Sequence, residues 1–223
     1  MNVYGKDAGP VLDENVKFYF AGVMQEYKSA SEQELQDASY FFISYVDKCG
    51  CSDNMMIYEI TSQLIEIAMW ADSSKIDVLQ NAVYGIGTMA KHLNKEAFKS
   101  LLAKSMEAIE RVTSLPEAQD EEHLIVTENA YISLGVLAMF QTHEPAHVQK
   151  FLQLLPLQGE EEAQEAHALL LDQLMAKNVS LVTAEMQPVV QATLAKINQK
   201  YAEDQSILTE ESKAKLDQVI AMM

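Results

Sequence analysis

Leu79-Gln80-Asn81-Ala82-Val83-Tyr84-Gly85-Ile86-Gly87-Thr88-Met89-Ala90 is the stretch on which the fold turns. With Ile76 just before it, Ile76, Leu79, Val83, Ile86 and Ala90 step by three and four, which places them on one face of a helix. Its opening recurs. Leu35-Gln36-Asp37-Ala38, Leu79-Gln80-Asn81-Ala82, Thr127-Glu128-Asn129-Ala130 and Ala163-Gln164-Glu165-Ala166 follow one another at intervals of 44, 48 and 36 residues. Each sits early in an apolar helical pattern that another helical pattern precedes, so the recurring unit is a helix pair.

That period is the one of HEAT and armadillo-like arrays. It predicts an all-α fold, a HEAT-repeat superhelix of about five helix pairs at about 13–48, 54–92, 95–141, 145–177 and 180–222. Residues 1–10, with Gly5, Gly9 and Pro10 and no apolar period, read as a flexible leader, and 11–223 as a single solenoid. Ser31 with Glu34 three residues on forms a capping box that starts a helix. Asn178 reads as a C-terminal cap. Gly85 and Gly87 lie inside a helix, where each costs about 1 kcal/mol relative to alanine. They predict that a neighbouring helix backbone comes close. Gly135 holds in the third pair the place that Gly87 holds in the second.

A repeat array offers a long surface to a partner and does not enclose a catalytic pocket. The expectation is a binding protein, not an enzyme, with no cofactor and no metal. Thirty-three acidic residues against sixteen basic ones give a formal charge of −17. Such a charge repels phosphate backbones and anionic lipid and favours basic protein partners. No stretch combines a basic start, an apolar run and a small-residue cleavage site, and no apolar run reaches the roughly 20 residues of a bilayer span. Cys49 and Cys51 stand too close for an ordinary disulfide and read as reduced thiols of the cytosol or nucleus.

Gln80-Asn81-Ala82-Val83-Tyr84-Gly85-Ile86-Gly87-Thr88-Met89-Ala90, then Thr127-Glu128-Asn129-Ala130, then Leu154-Leu155-Pro156-Leu157 carry a further reading. In this order and spacing they resemble the C-terminal end of an importin beta superfamily receptor, most like the branch called importin five. That family carries a similar RQAAAYGLGVMAQ helix, a TEN helix start and a WLPL turn. The resemblance covers nearly the whole chain and departs at Leu79, where the family usually carries arginine. It implies a nuclear transport receptor: inner helices hold basic protein cargo, outer helices touch phenylalanine-glycine nucleoporins, and Ran-GTP acts through N-terminal repeats with no counterpart in this chain. The implied setting is shuttling between cytoplasm and nucleus, by a C-terminal receptor segment or a short descendant of one. A free-standing HEAT scaffold subunit without transport activity is the alternative.

Two acidic clusters open inner helices, Asp120, Glu121 and Glu122 with Glu128, and Glu160, Glu161 and Glu162 with Glu165. Acids in a first helical turn gain about 0.3–1 kcal/mol each from the helix dipole without any ligand. Lining an inner groove, they would also draw basic cargo. Asp37, Asn81, Asn129 and Glu165 share one position of successive second helices and predict a hydrogen-bonded ladder between repeats. Phe18, Tyr19, Phe41, Phe42, Met55, Met56 and Trp70 recur at helical spacing as core, while Tyr58, Ile65 and Met69 on an outer helix are candidates for nucleoporin contact. His143-Glu144-Pro145-Ala146-His147 spells the H-E-x-x-H zinc pattern. Pro145 argues against that use, since it drives Glu144 out of helical geometry and suits the first residue of a helix.

Overall fold

The computed structural model describes residues 16, 20–24, 26–49, 51 and 53–222. The expected leader 1–10, a helix starting at Asp13, Phe18, Tyr19, Gly50, Ser52 and the side chain of Cys49 lie outside the described residues. Among those residues the chain is all helical, with no strand. Its contacts divide it into two compact units, Met1–Ser133 and Leu134–Met223.

In the first unit, α1 (Glu32–Cys49) starts from the predicted capping box. Ser31 Oγ accepts the Glu34 amide at 3.3 Å, and Glu34 Oε2 accepts the Ser31 amide at 2.8 Å. α2 (Asn54–Trp70) starts from Asp53, whose carboxylate accepts the amides of Met55 and Met56. α3 (Ile76–His92) follows a 3₁₀ turn, Ser73–Lys75, capped by Asp72. α3 packs against both α1 and α2. The core there is Leu35, Phe42 and Val46 of α1, Ile57, Ile60 and Leu64 of α2, and Leu79, Val83 and Ile86 of α3. Each such side chain contributes roughly 1.5–3 kcal/mol by leaving water.

The third predicted pair departs from a plain hairpin. Its first helix is broken into α4 (Lys95–Phe98) and α5 (Leu102–Thr113), with Phe98 and Leu101 buried on either side of the break. Its second enters through two 3₁₀ turns, Glu117–Gln119 and Glu121–His123, becomes α6 (Leu124–Val136), and leaves as a π-helical turn, Leu137–Thr142. By length and composition residues 121–142 would cross a bilayer, against the expectation that no run is long enough, with a mean hydropathy of 1.3. Yet 72% of that window is buried inside the protein, so the helix is apolar because the core surrounds it.

In the second unit, α7 (Pro145–Leu154) and α8 (Glu160–Met175) are joined through a cis Leu155–Pro156 bond. α9 (Gln187–Glu203) and α10 (Glu210–Met222) follow. α9 packs on α7, and α10 on α8 and α9. The predicted helix start at Ser180 is too early by seven residues, because 180–186 form turns that bury Leu181 and Met186, and Pro188 stands in the first turn of α9. The C-cap of α8 is Ala176 and not Asn178, and Lys177 after it takes the left-handed conformation, with φ of 53°. The Asn178 and Lys177 amides return to the carbonyls of Gln173 and Leu174 in a Schellman turn. The Asn178 side chain is used elsewhere, donating to the Met139 carbonyl at 3.1 Å.

Helices in each unit are tied at one characteristic separation. Gln36 to Asp77, Asn81 to Gln36, Arg111 to Ala68, Ser133 to Val83, Asn178 to Met139, Thr193 to Leu152 and Gln164 to Ser206 are side-chain hydrogen bonds spanning 39 to 50 residues. Arg111, the only arginine in the sequence, reaches from α5 to the end of α2. Its Nη1 and Nη2 donate to the carbonyls of Ala68 and Ala71, each at 2.7 Å, where the helix leaves acceptors unpaired and a cation is favoured.

The expected close approach occurs at Gly87. A Cβ there would stand 2.8 Å from Ser133 Cα, so α3 and α6 meet backbone to backbone. At Gly85 the crowding comes from side chains, Leu64 Cδ1 at 2.7 Å and Ile43 Cδ1 at 2.9 Å, and at Gly135 from the Phe151 ring at 2.5 Å. Gly87→Ala is expected to lower stability by about 1–3 kcal/mol although alanine is the better helix former. Gly22, where a Cβ meets nothing within 4 Å, supplies the control. Urea unfolding of both variants checks this, with Gly22→Ala shifting stability by less than about 1 kcal/mol.

Candidate functional site

The acidic clusters fall in different units. In the first, Asp120 is the extended residue between the two 3₁₀ turns, and Glu121 and Glu122 form the turn that leads into α6. All three are exposed. Glu128 is not part of that surface: one turn into α6 it is only 3% exposed, among Val126, Thr127 and Ala130. The burial of Tyr131 and, second, the charge of Glu128 push the Tyr131 phenol above its ordinary pKa.

In the second unit, Glu160, Glu161 and Glu162 make the first turn of α8, where Gly159 offers no side-chain cap. Glu160 and Glu161 are exposed, Glu162 and Glu165 half-buried. The helix dipole at that turn favours the carboxylates by about 0.3–1 kcal/mol each. Both clusters thus offer oxygen acceptors without a fixed fork of donors, a surface suited to lysine and arginine side chains.

The four ladder positions have different surroundings. Asn81 Nδ2 donates to the Gln36 carbonyl at 3.3 Å, joining α3 to α1. Asp37 is exposed and accepts from Gln33 within its own helix at 3.0 Å, because it points off the seam that Leu35 and Ala38 bury. Asn129 is buried in α6. On α8 the tie to a neighbour is carried by Gln164, the residue before Glu165, which donates to the Ser206 carbonyl at 2.6 Å. His167 Nδ1 lies 3.0 Å from the Ile207 carbonyl in the same contact. Sequence reading missed Gln164 and His167, since only the position and not the partner strand of backbone is visible in a repeat alignment.

Of the outer-helix candidates, Ile65 is 2% exposed and belongs to the core, so it can line no surface pocket. Tyr58 is half-buried with its hydroxyl 3.1 Å from Ser100 Oγ, and Met69 is exposed. Among the predicted core residues Phe42 and Met56 are buried and Phe41 and Trp70 half-buried, while Met55 is exposed, its position on α2 facing water.

The H-E-x-x-H residues do not share a helix. His143 has φ of 53° and ends the π turn, Glu144 is extended, and Pro145 opens α7, as the proline requires. His143 Nδ1 faces Ser180 Oγ at 2.8 Å, while His147 Nδ1 lies 3.6 Å from Glu144 Oε2. Among the described residues no group of three His, Cys, Asp or Glu side chains is arranged to hold a metal ion. Comparison with known proteins finds no family model that matches the chain and no curated protein that matches it.

The most perturbed titratable group is structural. His167 is fully buried, and burial drives its pKa down to about 4, partly opposed by the Ile207 carbonyl that accepts its Nδ1–H. Above the ordinary histidine pKa both folded and unfolded forms are neutral there. As pH falls toward 4 the unfolded chain takes up a proton that the folded chain refuses, so stability is lost across pH 6.5 to 4 and levels off below. The loss reaches roughly 3 kcal/mol. His167→Gln, which retains an N–H for the carbonyl and carries no charge, is expected to show a shallower decline over that window in urea unfolding at stepped pH.

Proposed function

We propose that this chain is a noncatalytic HEAT-like repeat segment that binds a basic protein partner through its exposed acidic turns, and that it serves as the C-terminal part of a nuclear import receptor. The observation that carries the binding reading is the recurrence of helix-to-helix hydrogen bonds at separations of 39 to 50 residues. Contacts at a single short separation are what a stack of helix pairs produces, since each pair touches only its neighbours. The receptor role rests on the resemblance carried by residues 80–90, 127–130 and 154–157.

Asp120, Glu121 and Glu122 in one unit, and Glu160 and Glu161 in the other, are the residues proposed to meet cargo. They are exposed, they stand at helix entrances, and the chain's charge of −17 adds a long-range field that steers cationic segments toward them. Glu162 and Glu165 would act from partly buried positions. Glu128 is left to the core. Tyr58 and Met69 remain the proposed outer-helix contact for phenylalanine side chains. The surface works by electrostatic complementarity, so affinity should fall as salt rises.

A lysine-rich histone-tail peptide tests this reading. Charge reversal of Asp120, Glu121, Glu122, Glu160 and Glu161 to lysine is expected to weaken binding at least about tenfold, or ~1.4 kcal/mol. Reversal of five exposed acids away from the clusters, Glu32, Glu96, Glu107, Glu203 and Glu210, should cost far less at equal net charge. Fluorescence anisotropy at low and physiological salt gives the comparison, and equal losses from the two sets would rule out the cluster-specific surface.

A further inference from the structure

Few groups hold the last helix of the second unit in place. The 3₁₀ turn Gln205–Ile207 and α10 both pack on α8. Gln164 donates to the Ser206 carbonyl at 2.6 Å, His167 Nδ1 faces the Ile207 carbonyl at 3.0 Å, and Lys215 reaches Asp172 at 2.6 Å. The apolar ties are Ile207 and Leu208 beside the turn and Leu216 and Val219 on α10. Open grooves of about 330 and 270 Å³ border α10, and its Ile220 and Met222 are exposed. An element with few buried apolar contacts opens at a lower free energy than the core around it.

His167 sits at the centre of this contact and is fully buried. The Ile207 carbonyl takes its Nδ1–H, while Nε2, equally buried, has no hydrogen-bond partner among the described residues. A proton added at Nε2 would therefore be a donor without an acceptor, on a charge without a counter-ion. The ionisable groups around it are engaged elsewhere. Lys215 bridges Asp172 and, at 2.7 Å, Glu211, and Lys213 pairs with Asp217 within α10. Asp204 accepts the Ser206 amide at 3.0 Å and its hydroxyl at 2.8 Å. Glu210 is exposed, and Glu165, two residues before His167 on α8, points to another side of that helix. Burial and the Ile207 carbonyl alone set the proton affinity of His167.

We infer that His167 is an acid-operated latch, whose protonation releases residues 205–222 from α8 while the other helices of the unit stay folded. Once the turn lifts, the imidazole meets water and recovers its ordinary proton affinity. Above pH 6.5 both the closed and the open form are neutral at this residue, and opening does not depend on pH. As pH falls toward 4 the open form gains a proton that the closed form refuses, so opening is favoured. The open fraction rises roughly twentyfold between pH 7 and pH 5, and about a hundredfold by pH 4. This device does not depend on the acidic turns proposed to meet a partner.

Amide hydrogen exchange of the full chain at pH 7 and pH 5, read by mass spectrometry as protection factors so that the intrinsic effect of pH cancels, tests the latch. Protection over residues 208–222 is expected to fall roughly twentyfold at pH 5, while α7 and α9 keep theirs. His167→Gln and His167→Asn each offer an amide N–H to the Ile207 carbonyl and carry no charge. Whichever of them folds by circular dichroism should show equal protection of 208–222 at the two pH values. Asp172→Asn removes the ion pair that crosses the same contact, and should lower protection at both pH values while leaving their ratio unchanged. Loss of protection shared equally by α7 and α9, which marks unfolding of the whole unit, overturns the inference. So does an acid response that survives in the His167 variants, or one that Asp172→Asn abolishes.

Discussion

The approach of α3 to α6 at Gly87 is the constraint on which the first unit depends. With no Cβ at 87, Ser133 comes in until its Cα would touch the missing atom, and its hydroxyl donates to the Val83 carbonyl at 2.7 Å. Val83 is one turn before Gly87, so the same spot supplies both the close backbone and the hydrogen bond. Closer axes let Val83, Ile86 and Ala90 bury fully against their neighbours. The glycine's cost in helix propensity, about 1 kcal/mol, is offset by that packing.

Around this contact the polar side chains are used sparingly and mostly to tie one helix to another's backbone. Arg111 closes the end of α2, Asn81 reaches Gln36, and in the second unit Asn178, Thr193 and Gln164 do the same for Met139, Leu152 and Ser206. Side chains satisfying main-chain carbonyls at helix ends leave fewer buried acceptors unpaired. The acids, in contrast, stay mostly at the surface, several of them in the first turn of a helix. Glu128 is the exception, enclosed in a helix so apolar that it would pass for a membrane span by composition. Apart from Glu128, the carboxylates of the described residues thus stay out of the core.

Features set by local chemistry were legible from the residues. The Ser31 and Glu34 box, the proline opening of α7 and the glycine at 87 each have a mechanism that acts within one or two turns, and the structure has them where the sequence places them. Features set by packing were not. Nothing in residues 95–113 interrupts the helical period, yet the chain breaks after Phe98. The turns of 180–186 bury Leu181 and Met186 where helical periodicity continues. Ile65 and Met69 are one turn apart and look alike in sequence, but only Met69 reaches water. Asp37 and Asn81 occupy one repeat position, and only Asn81 meets a neighbouring backbone, while Asp37 points off the seam into water.

The proposed function joins helices tied at a short separation to an acidic surface that would receive cations. Amide hydrogen exchange, followed by mass spectrometry with and without a lysine-rich histone-tail peptide, tests that union most directly. Slowed exchange is predicted at residues 119–124 and 159–166, the two acidic helix entrances, declining as salt is raised. Protection spread evenly along the chain, or confined to segments away from these entrances, would contradict it.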